Sequence, residues 1–419
     1  MTRRASLFFL LALSALGCQP APQAPAPKKA IFILLDGIPA DVLEQVETPA
    51  LDEIAGQAGY TRAYVGGEKG TYNETPTISA PGYMSMITAA WAHKHNVWGN
   101  YDQAPNYNYW NIFRIVEQAD SNYHTAIFST WLDNRTVLIG EGQPGAGDFR
   151  LDYAFDGLEL DTLQYPHDKA RDYILAIDER VADEAASYIA QNGPDLSWVY
   201  LEYPDDIGHL FGDGPEMEDA VQKADRQVQR IWEAVKSRQA MGEDWLIVVT
   251  TDHGRDPDTG KNHGGQSERE RTTWITTNAS ALNARFTVGE PAITDIAPSI
   301  LAHLGISAPS SISAELDGTS FIGSVSLDGF RATLEGGRLQ LFWNPRQAEG
   351  LARLHLALTN HFPQGGTDEY EMLAEVPVAQ AEHLHLLTPE QAAHFADSGF
   401  LKVWIEAPLN GGNWWVVAR

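Results

Sequence analysis

The chain of 419 residues has little cysteine, few basic residues and few long apolar runs. Its single cysteine, Cys18, excludes an intramolecular disulfide framework. With 29 lysines and arginines against 56 aspartates and glutamates, the formal charge is −27. Such an acidic balance removes the attraction that non-specific binding to nucleic acid or anionic membrane requires, so no nucleic-acid partner is expected. It also requires that an anionic substrate be drawn in by a local positive centre, such as bound metal. Beyond the N-terminus no stretch is long and apolar enough to span a bilayer. What remains is 43% hydrophobic and 20% charged, an ordinary globular composition that supplies a sizeable core.

The position of the one cysteine is informative. In "MTRRASLFFLLALSALGCQPAPQAPAPKKA", Arg3 and Arg4 form a positive start and Ser6 to Leu16 an apolar stretch too short for a spanning helix. Ala15-Leu16-Gly17-Cys18 resembles a lipobox, where a signal is cut before a cysteine that then carries lipid. Residues 1–18 are expected to be an export signal of lipoprotein type and 19–28 a Pro/Ala-rich tether. The expected location is exported, periplasmic or at the cell surface, with membrane contact through that anchor alone.

From "KKAIFILLDG" onward, apolar runs that end in polar residues alternate with amphipathic segments. Ala30 to Leu35 reads as a buried parallel strand, and "DNRTVLIG", "SWVYLEYPDD" and "DWLIVVTTDHG" as further strands. "YWNIFRIVEQAD", "ERVADEAASYIAQNG" and "DAVQKADRQVQRIWEAVKSRQA" read as helices, with "TDIAPSILAHLGI" closing the domain behind Thr294 or Asp295 as N-cap. This order predicts a doubly wound, mostly parallel α/β sheet with helices on both faces, over residues 29–323. From residue 324 to 419 the pattern turns β-rich, which predicts a small β-sandwich.

Ligands of such sheets bind beyond the carboxyl ends of the strands. Asp36, Asp205 and Asp252 stand at such ends, with His209, His253 and His263 close behind. Three carboxylates and three imidazoles suit two divalent metals, zinc being favoured by the mixed nitrogen and oxygen donors.

Here the chain resembles the alkaline phosphatase superfamily, most closely its nucleotide pyrophosphatase/phosphodiesterase branch. The match lies in Asp36-Gly37 after the first strand, Asp205 to His209 as Asp-x-x-Gly-His, Asp252-His253-Gly254 at a strand end, and His263-Gly264-Gly265. The resemblance implies that Asp205, His209 and His263 hold one metal, and that Asp36, Asp252, His253 and the nucleophile hold the other. It places the nucleophile at Ser79, where the branch has threonine, with Thr77 and Thr75 as nearby alternatives. Read on without a gap, it places the oxyanion-contacting amide at Asn100. Gly82 stands where the branch has asparagine. The implied activity is cleavage of phosphate diesters or pyrophosphates through a phosphoserine, on a small phosphate-ester substrate.

Three enzyme alternatives and one non-enzyme compete. A monoesterase needs extra cationic groups for the added phosphate charge, and none can be placed from sequence. A sulfatase shares Ser79-Ala80-Pro81 but wants arginine at Tyr83. A cofactor-independent phosphoglycerate mutase needs a large inserted domain that is missing here. A non-catalytic surface protein would not need all six ligands. His93, His95 and Trp414-Trp415 are expected to serve packing, and Asp206 to face solvent or to support the neighbouring ligands.

Overall fold

The computed structural model describes residues 25–101 and 103–418. The expected signal, the lipobox and most of the tether therefore lie outside the described residues. Among those described, no helix is long and apolar enough to cross a membrane.

The larger sheet has seven strands: β1 (Lys28–Leu35), β2 (Gly59–Tyr64), β3 (Thr125–Ser129), β4 (Tyr153–Phe155), β5 (Leu196–Leu201), β6 (Asp244–Thr250) and β7 (Thr272–Thr277). Their order is β2-β7-β6-β1-β5-β3-β4. β1 runs parallel to β5 and β6, and β3 to β4 and β5, while β7 runs antiparallel to β6 and β2. The mostly parallel α/β expectation holds, with the reversal confined to β7.

The unbroken apolar run of β1 follows from its burial on both sides. Ala30, Phe32 and Leu34 enter one core, with Met84, Phe113 and Ile300 from helices Ser79–Thr88, Ile112–Ala119 and Ile296–Leu304. Ile31, Ile33 and Leu35 enter the other, with Ile54, Val181 and Trp232 from helices Pro49–Gln57, Asp172–Asn192 and Pro215–Gln239. A strand covered by helices on both faces has no polar side to alternate with.

One expected strand is absent. "DNRTVLIG" forms a short π-helix, Asn134–Ile139, and the neighbouring strand is β3, "TAIFS". Asn134 donates to Ser129 Oγ at 3.1 Å, which folds the segment back over the strand end. Asp295 does hold the N-cap position of Ile296–Leu304, but its carboxylate accepts from Ala292 N at 2.8 Å and Thr319 N at 2.7 Å instead of from the helix.

The C-terminal part contains β8 (Leu327–Glu335), β9 (Arg338–Pro345), β10 (Leu351–Ala357), β11 (Glu371–Pro377), β12 (Glu382–Leu386), β13 (Phe400–Glu406) and β14 (Gly411–Val417). They form a four-stranded sheet, β11-β10-β13-β14, and a three-stranded sheet, β12-β9-β8, around one apolar core that includes Leu341, Leu354 and Val403. A helix, Pro389–Ser398, opened by a Thr388/Gln391 capping box, joins β12 to β13. Trp415 packs on Tyr72 (5.7 Å between centroids) and His93 (4.5 Å), so these side chains join the β-rich part to the segments before and after helix Ser79–Thr88.

Candidate active site

β6, β1 and β5 are neighbours in the sheet, so whatever follows them shares one rim. Asp36 follows β1, Asp205 lies in the first turn of helix Tyr203–Phe211 after β5, and Asp252 and His253 follow β6. Across that rim, His253 Nε2 lies 3.2 Å from Asp252 Oδ2 and 3.5 Å from Asp36 Oδ1. His209 Nε2 lies 3.2 Å from Asp205 Oδ2 and 3.1 Å from His263 Nε2. The rings of His253 and His263 stack at 3.7 Å. All six expected side chains meet.

The orientation of the imidazoles points to cations. His209 Nδ1 contacts Lys261 O at 2.8 Å, His253 Nδ1 contacts Gly254 O at 2.9 Å, and His263 Nδ1 contacts Thr77 O at 2.9 Å. A carbonyl can only accept, so each Nδ1 carries a proton and each ring turns its Nε2 inward. That second-sphere arrangement fixes the tautomer of metal-binding histidines. Asp36 Oδ1, Asp252 Oδ2 and His253 Nε2 are buried without hydrogen-bond partners. Converging oxygen and nitrogen atoms with so few partners fit a divalent ion. Ligand atoms of Asp205, His209 and His263 lie within 4.8 Å of one another, as do those of Asp36, Asp205 and His253.

The same crowding shifts the protonation equilibria. Burial, then the charges of Asp252 and Asp205, push Asp36 well above the usual carboxylate range. Asp252 is pushed up to about 7, chiefly by burial. Burial opposes ionisation of Asp205 too, but the Arg255 guanidinium and the nearby histidines outweigh it and hold this carboxyl far below its ordinary value. Burial also lowers His253 and His263, which keeps them in the neutral, ligating form.

Ser79 opens helix Ser79–Thr88 and is 6% exposed. Among the described residues its hydroxyl has no hydrogen bond. The two threonines are engaged elsewhere: Thr77 Oγ1 donates to Gly265 O (2.9 Å) and accepts from Gly264 N (3.0 Å), and Thr75 Oγ1 donates to Asn73 O (3.0 Å). Asn100 Oδ1 accepts from Ala80 N at 2.9 Å, which sets its carboxamide at the helix start and leaves Nδ2 available. Gly82 packs on Asp252, where an added Cβ would come within 3.1 Å of the aspartate Cβ, so this departure from the branch follows from close approach.

Several supporting residues carried no sequence signal. Arg255 is fully buried and donates to Asp205 O (2.7 Å), to Asp205 Oδ1 and to Gly37 O (3.0 Å). It also explains the glycine of Asp-x-x-Gly-His, because a Cβ on Gly208 would fall on its guanidinium. Tyr83 and Tyr200 both donate their hydroxyls to Asp36 Oδ2, the latter at 2.7 Å, leaving Oδ1 to face His253. Asp206, expected in solvent or in support of the ligands, is partly exposed and lies 3.6 Å from Arg171. His93 and His95 are interior packing residues, His95 lying 3.1 Å from Ser85 Oγ.

Asp178 anchors the helix that bears Asp205 and His209. Its buried carboxylate accepts from Glu202 N (3.1 Å) and Tyr203 N (2.8 Å), and burial pushes it up to about 7. A carboxyl that stays protonated to higher pH when folded contributes stability that is complete below its unfolded pKa of ~4 and is lost as pH rises through its folded value. Asp178→Asn should flatten this profile. Between about pH 5 and about pH 8, urea titrations should show wild type losing roughly 2 kcal/mol more unfolding free energy than the variant.

Residues 30–280 match the sequence profile of the family described as Type I phosphodiesterase / nucleotide pyrophosphatase. The chain belongs to this family. Its members are metal-dependent hydrolases of small phosphate esters such as nucleotides. Ectonucleotide pyrophosphatase/phosphodiesterase family member 5 of Homo sapiens is 23% identical over 240 residues, 55% of this chain and 45% of that protein. A 2,3-bisphosphoglycerate-independent phosphoglycerate mutase of Natronomonas pharaonis is 26% identical over 166 residues, 39% of this chain and 32% of its own. The chain thus matches less than half the length of either relative. A putative sulfatase from Bacteroides thetaiotaomicron has a TM-score of 0.50 at 12% identity, over 88% of this chain and 90% of its own, a likeness of fold alone.

Proposed function

We propose that the protein is an exported two-metal phosphohydrolase that cleaves phosphate diesters or pyrophosphates through a phosphoserine at Ser79. The observation that carries this reading is the inward turn of three imidazole Nε2 atoms toward the carboxylates of Asp36, Asp205 and Asp252, of which Asp36 Oδ1 and Asp252 Oδ2 have no hydrogen-bond partner. Asp205, His209 and His263 would hold one divalent cation, and Asp36, Asp252, His253 and Ser79 the other, with Asp205 close enough to Asp36 and His253 to serve the second as well; zinc is favoured by this donor set. When bound, such a pair lowers the pKa of the serine hydroxyl and offsets charge on the leaving oxygen.

The protein's own groups do the rest. Ser79 Oγ attacks phosphorus in line, forming the Oγ–P bond as the ester P–O bond breaks. The Asn100 Nδ2 amide donates to a non-bridging oxygen as negative charge grows on it. Water then cleaves the phosphoserine and restores the hydroxyl. Asn100→Ala should lower kcat by about 10²-fold while changing KM little, the signature of a contact strengthened in the transition state.

Preference for diesters follows from the placement of cations. Arg255 is committed to Asp205 and Gly37, and Lys261 Nζ donates to Leu210 O at 3.0 Å. Neither is free to balance the extra charge of a monoester. A panel of aryl phosphate monoesters, diesters, phosphonates and sulfates tests this. The expected result is a kcat/KM for the diester at least about tenfold above the others. Faster hydrolysis of the monoester or the sulfate would move the protein to another branch of the superfamily.

A further inference from the structure

Away from the strand ends, a cleft of about 360 Å³ opens between the segment after Asn100, the short helix Ser310–Ser313 and the C-terminal sheets. Trp110, Phe362, Tyr370 and Trp404 give it four aromatic walls, and Glu315 and Asp368 two carboxylates. It shares no residue with the metal-ligand set. Its size and mixed lining are those of a small-molecule site.

The charges in the cleft do not balance. Glu315 is 3% exposed and Asp368 8%, and one fully buried ammonium, Lys402, serves both. The nearby Lys94 is already paired with Asp317. Asp368 is further satisfied by Thr359 Oγ1 (3.1 Å) and His361 N (2.7 Å). Glu315 is not: Oε1 meets Lys402, while Oε2 is buried with no partner, as is the Tyr370 hydroxyl. A surplus negative charge with an unpaired oxygen in a desolvated pocket is unfavourable until something positive reaches it.

We propose that this cleft binds a small organic ammonium ion, its charge beside Glu315 and its alkyl groups against Trp404 and Tyr370. Aromatic faces attract such cations through the ring quadrupole, and the attraction grows on desolvation. These walls already accept cations of the chain itself: Lys402 Nζ lies 5.7 Å from the Phe362 centroid and the Arg114 guanidinium 4.1 Å from that of Trp110. A neutral ligand of the same shape would leave the Glu315 charge unanswered.

Calorimetric titration of the full, metal-loaded protein with choline, tetramethylammonium and the uncharged carbon isostere of choline, dimethylbutanol, tests this. Saturable binding of both cations is expected, with the isostere at least about tenfold weaker. Glu315→Gln and Trp404→Leu should each weaken choline binding about tenfold while ester hydrolysis and the thermal midpoint stay near wild type. Where Glu315→Gln fails to fold, Tyr370→Leu replaces it in the comparison. Equal binding of choline and dimethylbutanol, absence of saturable cation binding, or choline affinity unchanged in Trp404→Leu would each overturn the proposal.

Discussion

Ser79→Ala is expected to reduce kcat on the best phosphate diester by roughly 10³- to 10⁶-fold, the range seen when a nucleophile is removed and the remaining site still binds and polarises substrate. Its metal content should stay at the wild-type value, because the other donors of both groups are untouched. The prediction is sharp because the competing hydroxyls are already engaged. Thr77 holds the Gly264–Gly265 loop through both of its hydrogen-bonding roles, and Thr75 accepts from Ala92 N at 3.1 Å besides donating to Asn73 O. Neither can turn toward phosphorus without giving up a buried backbone partner. Thr77→Ala should therefore lower stability more than it lowers kcat. Trapping of radiolabelled phosphate on acid-quenched wild type, and not on Ser79→Ala, would locate the covalent step. If Ser79→Ala keeps a tenth of wild-type activity and Thr77→Ala keeps none, the nucleophile has been assigned to the wrong hydroxyl.

Of the candidate ligands, Asp36, Asp252 and His253 were legible because each stands where an apolar run stops, and Asp205, His209 and His263 because they match the family's Asp-x-x-Gly-His and His-Gly-Gly segments. A run that ends in Asp or His at the carboxyl edge of a parallel sheet has one place to put that side chain, and β1, β5 and β6 are adjacent. Arg255, Tyr83, Tyr200 and Asp178 were not legible as parts of the site, because each acts across a long sequence separation on a partner that only the fold supplies. Arg255 is 50 residues from Asp205, and Tyr200 is 164 from Asp36. The misread "DNRTVLIG" shows the limit from the other side. Its apolar residues satisfy a strand or a helix equally well over so short a span, and the turn at Ser129 and Asn134 decides between them. The β7 reversal was equally hidden, since "TTWITT" is a good strand whichever way it runs.

Asp205 should be the most consequential single ligand. It is the one residue present in both groups of candidate metal donors, with Oδ2 3.2 Å from His209 Nε2 and Oδ1 3.8 Å from His263 Nε2. Its removal takes a donor from two sites at once, whereas His209→Ala takes one from a single site. Zinc measured by plasma mass spectrometry should fall below one ion per chain in Asp205→Ala and to about one in His209→Ala, because an ion held by three protein ligands rarely survives the loss of one. Activity should fall by on the order of 10³-fold or more in Asp205→Ala, since metal ions supply several kcal/mol of charge stabilisation and each 1.4 kcal/mol is about a decade in rate. A second effect separates the two variants. Arg255 is 0% exposed, and without Asp205 its guanidinium is left in the interior without its counter-charge. That situation costs about 3–5 kcal/mol, so Asp205→Ala should also unfold at markedly lower urea than His209→Ala. Asp205→Asn, which keeps the shape and one carbonyl acceptor but loses the charge, divides the contributions. It should recover part of the stability and none of the second ion. Retention of two zinc ions by Asp205→Asn, or equal zinc loss in the Asp205 and His209 variants, would show that the two groups are independent and that Asp252, with its unpartnered Oδ2 3.2 Å from His253 Nε2, completes the second group alone.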